Sequence, residues 1–147
     1  MSGVLVGIDG SVYSRKALEW AAREAGIRHA PLTVLNVHQA VAGYRACTVD
    51  YPADRALAEQ ARKEALKETD EVLAGLGEGL PRPAEVTVLT AGGLPAEELL
   101  AASGSAEMLV VGARGAGGFK KLLMGSVSSQ VTHHSHVPVV VIPSDIR

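Results

Sequence analysis

The sequence predicts an α/β fold built on a parallel sheet, and two patterns carry this prediction. Short apolar runs of strand length alternate along the 147 residues with longer segments in which small and apolar residues recur every three or four positions. The short runs are apolar without a break, which is typical of strands that helices cover on both faces. Right-handed crossovers then give a doubly wound sheet, whose ligands bind beyond the carboxyl ends of the strands where the winding reverses.

The first three elements follow from local signals. Residues 4–8 form a continuous apolar run and are predicted to be a buried strand. A helix is predicted over 14–29, with Ser11 or Ser14 available as its N-cap and Pro31 ending it. A second buried strand is predicted over 32–37. Residues 39–50 have no consistent period, so a surface loop is expected there.

The middle of the chain is predicted to contain a long helix, a strand and a short helix. Over 54–76, Glu64 and Glu68 belong to the predicted polar face of the long helix. Residues 84–89 are predicted to be the third strand, and 95–102 a short helix with Pro95 in its first turn. The predicted apolar face of the long helix consists of Leu57, Ala61, Ala65, Thr69, Val72 and Leu76.

The last third of the chain completes the alternation. Residues 108–111 are predicted to be the fourth strand, and a glycine-rich segment follows over 112–125. A short helix is predicted from Ser126 to about Ser135, and the last strand is predicted over 137–142. The order of elements contains no linker, repeat or low-complexity tract, so a single domain over 1–147 is expected.

Charge and cysteine content exclude several classes of function. Fourteen Lys and Arg against sixteen Asp and Glu give a formal net charge of −2 without a basic stripe, so no nucleic-acid partner is expected. Cys47 is the only cysteine, which excludes an intramolecular disulfide and a CxxC pair. No apolar run is long enough to span a membrane, and the start lacks the features of a signal peptide. A soluble, cytoplasmic protein is therefore expected.

Two strand ends carry the residues expected to bind a ligand. Gly7, Asp9 and Ser11 lie at the end of the first strand, and the glycine-rich segment follows the fourth strand. Glycines let the backbone approach a ligand closely, and the helix start at Ser126 offers unpaired N–H groups and a positive dipole end. These features predict a phosphate cradle in two pieces, the turn after the fourth strand and the helix start at 126–128, with Asp9 beside it for Mg²⁺ or Mn²⁺. A plain turn between strand and helix is the alternative interpretation.

The spacing of the glycines excludes two common nucleotide motifs and matches a third. Neither a G-x-x-x-x-G-K-[ST] loop nor a G-x-G-x-x-G motif is present. The spacing Gly112-x2-Gly115-x9-Gly125-Ser126 resembles the signature of the ATP-binding branch of the universal stress protein family. Residues 4–22 and 133–141 resemble the opening and ending of that family. The resemblance implies a three-layer, open, parallel five-stranded sheet of order 3-2-1-4-5 with helices on both faces, of the adenine nucleotide alpha hydrolase-like kind.

The resemblance also implies a set of binding residues. Asp9 would lie near the ribose, the phosphates or a bridging metal, and Val37 would touch adenine. Because only 3 % of the residues are aromatic, adenine is expected to lie between aliphatic groups and to be recognised by backbone hydrogen bonds. Lys120 and Lys121 are further candidates for the phosphates. The residues implied to contact the nucleotide are Gly7, Asp9, Val37, Gly112, Arg114, Gly115, Ala116, Gly117, Gly118, Gly125, Ser126, Val127 and Ser128.

The function implied is that of a nucleotide-dependent regulator of the stress response, and no catalytic residue is expected. ATP would order the segment 113–124 and the 39–50 loop, and partners would recognise the ordered surface. A homodimer through the last strand, from Val137 to Ile142, would cover an apolar sheet edge. The alternatives are a slow Mg²⁺-dependent ATPase or autokinase using Asp9, a module for AMP or cyclic AMP, and a module that binds no nucleotide.

Two further features are expected to be structural. His133, His134 and His136 invite a metal site, but histidines at a helix C-terminus also interact favourably with the helix dipole. Cys47 is expected to be an ordinary loop residue.

Overall fold

Strands and helices alternate in the computed structural model, which describes residues 2–38, 52–114 and 125–143. The predicted 39–50 loop lies outside these residues. None of the helices in the described ranges combines the length and apolarity needed to cross a bilayer. The elements in chain order are β1 Val4–Ile8, α1 Val12–Ile27, β2 Leu32–His38, α2 Pro52–Ala74, β3 Val86–Gly92, α3 Pro95–Ser103, β4 Met108–Gly112, α4 Ser126–His134 and β5 Val139–Ile142.

The strands form one parallel sheet in the order β3-β2-β1-β4-β5, which confirms the predicted fold class and order. Val6 of β1 lies between Val34 of β2 and Val110 of β4 in the register of the central strands. The winding therefore reverses between β1 and β4. In such a sheet this reversal opens a crevice at the carboxyl ends of the two strands, because their helices leave on opposite faces.

Alternation along β1 divides the core into two layers. Val4, Val6 and Ile8 pack with α1 and α2, whereas Leu5 belongs to the cluster formed with α3 and α4. Neighbouring side chains of a strand point to opposite faces, so a run that is apolar at every position serves both layers. The central strands are buried throughout these runs.

The two edge strands depart from the predicted bounds. The third strand was predicted over 84–89, but β3 begins at Val86 and continues to Gly92 because β2 pairs with it as far as His38. The strand predicted over 137–142 begins only at Val139. Pro138 precedes it and cannot donate a ladder hydrogen bond, although its carbonyl accepts one from the N–H of Leu109.

The apolar face of α2 is shorter than the sequence pattern indicates. Ala65, Thr69 and Val72 are buried as predicted, but Leu57 is 40 % exposed. Twenty-three helical residues extend about 35 Å, whereas the seven residues of β3 extend only about 23 Å, so the helix is longer than the strand beneath it. The amino-terminal part of α2 therefore gains less burial from the sheet.

Candidate functional site

The carboxyl ends of β1 and β4 lie side by side, and each leads directly into a helix start. Ile8 ends β1 and α1 begins at Val12, whereas Gly112 ends β4 and α4 begins at Ser126. Both predicted pieces of the cradle therefore border the crevice at the winding reversal. The amino ends of the two helices also bring positive dipole ends to this region.

The start of α1 is held by its own side chains. Ser11 is the N-cap, and its hydroxyl accepts a hydrogen bond from the N–H of Ser14 at 3.2 Å. The Asp9 carboxylate accepts the N–H of Ser11 at 2.9 Å, while the hydroxyl of buried Ser14 accepts the N–H of Asp9 at 3.1 Å. These bonds satisfy donors that a helix start otherwise leaves open. They also fix the exposed Asp9 carboxylate at the edge of the crevice.

The start of α4 has no such side-chain cap. Its N-cap is Gly125, which has extended backbone angles and makes no side-chain hydrogen bond. Ser126 is exposed and Val127 half-buried, so the first turn borders solvent on one side. An uncapped helix start with accessible first-turn N–H groups is suited to binding an anion.

Ser128 acts as a brace behind this helix start. Its side chain is fully buried, and its hydroxyl lies 2.9 Å from the carbonyl of Ala113 and 3.1 Å from that of Gly125. The N–H of Gly125 also donates to the Ala113 carbonyl. Hydrogen bonds therefore join Ala113, just before residues 115–124, to the start of α4, just after them. Ser128, implied by the resemblance to bind phosphate, has its hydroxyl proton engaged by these carbonyls.

Arg114 places a buried cation at the end of β4. Only 9 % of its surface is exposed, and its Nε and Nη1 atoms have no hydrogen-bond partner among the described residues. Burying an unpaired guanidinium is unfavourable, because the group loses its water without gaining an acceptor. An anionic ligand with oxygen acceptors would supply what this side chain lacks.

Two of the glycines implied to line the ligand pocket lie where helices approach the sheet closely. A Cβ at Gly7 would lie 2.8 Å from Cδ2 of Leu99, so α3 packs directly against the backbone of β1 there. A Cβ at Gly112 would lie 3.0 Å from the carbonyl oxygen of Tyr13 in the first turn of α1. Both glycines let helices approach the sheet closely at the crevice. Their presence in the sequence is therefore explained even without a ligand.

Val37 lies in aliphatic surroundings at the end of β2. It is half-buried, packs against the cluster shared with α3 and α4, and pairs in register with Ala91 of β3. A flat ring placed here would contact branched aliphatic groups, in keeping with the low aromatic content of the chain. Gly115, Ala116, Gly117, Gly118, Lys120 and Lys121 lie outside the described residues.

Sequence reasoning missed Glu68, which was assigned to the polar face of α2. The residue is half-buried, and its Oε1 atom is buried without a hydrogen-bond partner in the described part of the chain. Burial raises the pKa of Glu68 above its ordinary value of 4.5; Arg15 opposes this shift, while Asp9 and Glu71 add to it. Its position three residues after buried Ala65 and four before Val72 is the sequence signal that places it beside the buried stripe.

His38 is a second group that sequence reasoning missed. It ends β2, and its Nδ1 atom is buried and lacks a partner within the described ranges. The second strand was predicted to end at Val37, so His38 was not among the predicted site residues.

The described residues do not assemble a metal site from protein ligands alone. Within residues 2–38, 52–114 and 125–143, no group of three or more His, Cys, Asp or Glu side chains is placed to hold a metal ion. His133 and His134 occupy the last turn of α4, and His136 is exposed. Asp9 can therefore supply one carboxylate to a cation that takes its other oxygens from phosphates and water, as Mg²⁺ usually does.

Comparison with known sequences identifies related proteins. The model of the universal stress protein family matches residues 1–143. A universal stress protein of Mycolicibacterium smegmatis is 37 % identical over 152 residues, covering 97 % of this chain and 48 % of the relative. A universal stress protein of Mycobacterium tuberculosis is 36 % identical over 138 residues, covering 94 % of this chain and 44 % of the relative. The chain thus spans about half the length of these relatives.

Comparison with solved structures shows the same fold. The universal stress protein UspA from Lactobacillus plantarum superposes with a TM-score of 0.70 at 23 % identity, covering 96 % of this chain and 97 % of that one. A universal stress protein in complex with cAMP gives 0.67 at 22 % identity, covering 97 % and 96 %. A universal stress protein from Archaeoglobus fulgidus in complex with dAMP gives 0.64 at 20 % identity, covering 97 % and 98 %.

Proposed function

The chain belongs to the universal stress protein family, and we propose that it is an ATP-binding member that acts as a nucleotide-dependent regulator of the stress response. Two features together carry the proposal: the Nε and Nη1 atoms of buried Arg114 have no partner among the described residues, and the nearby start of α4, joined to Ala113 by hydrogen bonds, has no side-chain cap. The two related structures in complex with cAMP and dAMP support an adenine nucleotide as the ligand class.

The phosphates would bind between Arg114 and the first turn of α4. Ser126, Val127 and Ser128 would present backbone N–H groups to the phosphate oxygens, and the helix dipole would add to the attraction. Gly125, whose N–H donates to the Ala113 carbonyl, would let the phosphates approach the backbone closely. Arg114 would contribute charge-assisted hydrogen bonds through the atoms that now lack acceptors. Residues 115–118 of the matched motif would enclose the ribose and phosphates. Ser128 would act mainly by holding Gly125 against Ala113.

The base would occupy the aliphatic region near Val37. Contacts with this side chain would remove apolar surface from water, and backbone groups would read the edge of the ring. Because Gly7 and Gly112 have no Cβ, α3 and α1 approach the sheet closely at the crevice. The nucleotide would then bind against closely packed backbone. Most of the binding free energy would then come from the phosphates.

Asp9 would hold Mg²⁺ or Mn²⁺ jointly with the phosphates. Its carboxylate is exposed and oriented by the Ser11 N–H, which suits a cation site completed by the ligand. We assign this residue to binding and propose no catalytic residue. A slow ATPase or autokinase would require Asp9, so its loss on Asp9→Ala would support that alternative.

A nucleotide with one phosphate is the second candidate ligand. It is favoured by the related structures, because both cAMP and dAMP carry a single phosphate. The helix start and Arg114 would bind that phosphate in the same way. A dependence of affinity on Mg²⁺ distinguishes the candidates, since bridging by a metal favours a polyphosphate.

The β5 edge is the proposed site of homodimerisation. Val139–Ile142 is apolar throughout and only half-buried, and it is the last strand of the sheet on that side. Pairing with the same edge of a second protomer would satisfy its free backbone groups and cover its side chains.

Isothermal titration with ATP, AMP and cAMP, each with and without Mg²⁺, tests the proposed function. We expect ATP to bind most tightly and to lose affinity when Mg²⁺ is removed. Mass spectrometry of the ligand that co-purifies under native conditions identifies the physiological nucleotide. Absence of binding by every adenine nucleotide would refute the proposal.

A further inference from the structure

A groove of about 450 Å³ lies between α2 and the amino-terminal half of β3, apart from the proposed nucleotide site. Its walls include Leu66 and Leu73 of α2 and residues 86–89 of β3. Leu66 is 37 % exposed, which is high for a leucine on a helix packed against a sheet. The groove therefore combines apolar side chains such as Leu66 with the charged groups of Arg62 and Asp70. We call this surface beside α2 and β3 the α2–β3 face.

No strand among the described residues pairs with the outer edge of β3. β3 is the last strand of the sheet, and the N–H of Leu32 in β2 donates to the carbonyl of Glu85. Along a strand, the N–H and C=O groups of successive residues point towards opposite edges. The backbone groups of Val86 and Val88 therefore point away from β2. Arg62 donates from Nη1 to the Val88 carbonyl at 3.4 Å, a long bond that covers only part of the edge. Open strand edges readily pair with another strand.

We propose that the α2–β3 face binds the same face of a second copy of this chain around a two-fold axis. The charges of α2 argue for this partner. Arg62 and Asp70 both line the groove, and they lie four residues before and four residues after Leu66. When two copies of α2 pack antiparallel about Leu66, Arg62 of each copy lies opposite Asp70 of the other. The face is thus complementary to itself, as an isologous interface requires.

The spacing of the layers agrees with such a pairing. Antiparallel addition of one β3 to another would place the two strands about 4.8 Å apart, so the axis runs about 2.4 Å from each. α2 contacts both β2 and β3. A helix above the midline between β2 and β3 is half a strand spacing from β3, and β3 is another half spacing from the two-fold axis. The helix is therefore about 5 Å from that axis in the plane of the sheet. The two copies of α2 would then be about 10 Å apart, which is the distance at which helices pack.

Thiol crosslinking tests whether Leu66 lies on the axis. In a Cys47→Ser background, Leu66→Cys places one thiol where the two copies of α2 meet, whereas Leu57→Cys places one on an exposed part of the same helix outside the groove. With a short bis-maleimide at micromolar protein, we expect Leu66→Cys to form covalent dimers at least tenfold faster than Leu57→Cys. Equal rates for the two variants would overturn the proposal.

A charge exchange tests the predicted pairing. Added to the Leu66→Cys protein, Asp70→Arg places two cations opposite each other and is expected to reduce the crosslinking rate at least tenfold. Adding Arg62→Glu as well restores the attraction with the signs exchanged and is expected to recover most of that rate. Both positions are on the helix surface, and circular dichroism checks that each variant folds. Failure of the charge-exchanged protein to recover would overturn the proposal. Because the Leu66→Cys thiol reports contact at α2 alone, dimerisation through β5 and nucleotide binding do not affect the result.

Discussion

The two helix starts at the crevice differ in how their N–H groups are satisfied. At α1, Ser11 caps the helix and Asp9 and Ser14 complete a closed set of hydrogen bonds. At α4, Gly125 offers no side chain, and the buried cation of Arg114 lacks acceptors among the described residues. The first start has a side-chain cap of its own, whereas the second has none and leaves positive groups that an anion would satisfy.

This difference assigns separate roles to two similar pieces of backbone. The start of α1 fixes the position of Asp9 without a ligand. Its hydrogen bonds contribute to the stability of the folded protein. α4 gives up the stabilisation of a side-chain cap, which leaves its first turn open to a phosphate. Substitutions that exchange or remove these properties test the comparison directly.

The largest effect is expected from Arg114→Met. Removing the guanidinium that we propose binds the phosphates should weaken ATP binding about 100-fold, as measured by titration calorimetry. Without nucleotide the same change should raise the unfolding temperature, because an apolar side chain replaces a buried cation whose Nε and Nη1 have no acceptor in the described part of the chain. Arg23→Gln, at an exposed position of α1, is the matched control. Equal ATP affinity in the two variants would contradict the role of Arg114.

Gly125→Asp should make the start of α4 resemble that of α1. A carboxylate at the N-cap can accept first-turn N–H groups and repel phosphate, so ATP affinity should fall about tenfold. The reciprocal change, Ser11→Gly, should lower the unfolding temperature and leave ATP affinity within about twofold, because only a few tenths of a kcal/mol separate these caps. Thermal unfolding measures the change in stability of each variant, and titration calorimetry measures its ATP affinity. A larger loss of affinity in Ser11→Gly would reverse the assignment of the two helix starts.

Ser128→Ala tests the brace behind α4. Loss of its buried hydroxyl should lower the free energy of unfolding by about 1 kcal/mol, since the carbonyls of Ala113 and Gly125 lose a donor. Ser129→Ala, at the next position of the same helix, should change it by less than about 0.5 kcal/mol. Urea unfolding measures both. Similar values for the two variants would show that Ser128 is not a brace.

The smallest effect is expected from Glu68→Gln, which tests the α1 side of the crevice. Because burial raises the pKa of Glu68, the folded protein holds its proton more tightly than the unfolded chain, so ionisation lowers stability as the pH rises above 4.5. Glu68→Gln should therefore raise the unfolding temperature at pH 7 relative to wild type, and this gain should shrink towards about pH 4. Glu64→Gln, on the exposed part of α2, is the control. Parallel pH profiles for the two variants would contradict the prediction.

Sequence patterns predicted the fold better than they predicted the side-chain roles. Unbroken apolar runs located the central strands closely, because those strands are buried on both faces and every residue carries the signal. The edges were predicted less well, since the end of β3 depends on pairing with His38 and not on hydrophobicity. The motif placed Gly125 and Ser126 at a helix start as expected. The burial of Arg114 could not be predicted, because it depends on residues distant in sequence. The partial burial of Glu68 was missed, although its spacing from Ala65 and Val72 carried a signal.

The sequence by itself determined the order of elements, the aliphatic core and the glycine spacing that resembles a nucleotide site. These properties depend on local periodicity, composition and distances along the chain. Only the tertiary structure decided which glycines support packing, which serine braces α4 and which cation is buried without an acceptor among the described residues. The physical reason is that packing distance and desolvation arise between segments far apart in the chain. The sequence pattern therefore locates the crevice, and the folded structure shows which buried groups there have no hydrogen-bond acceptor among the described residues.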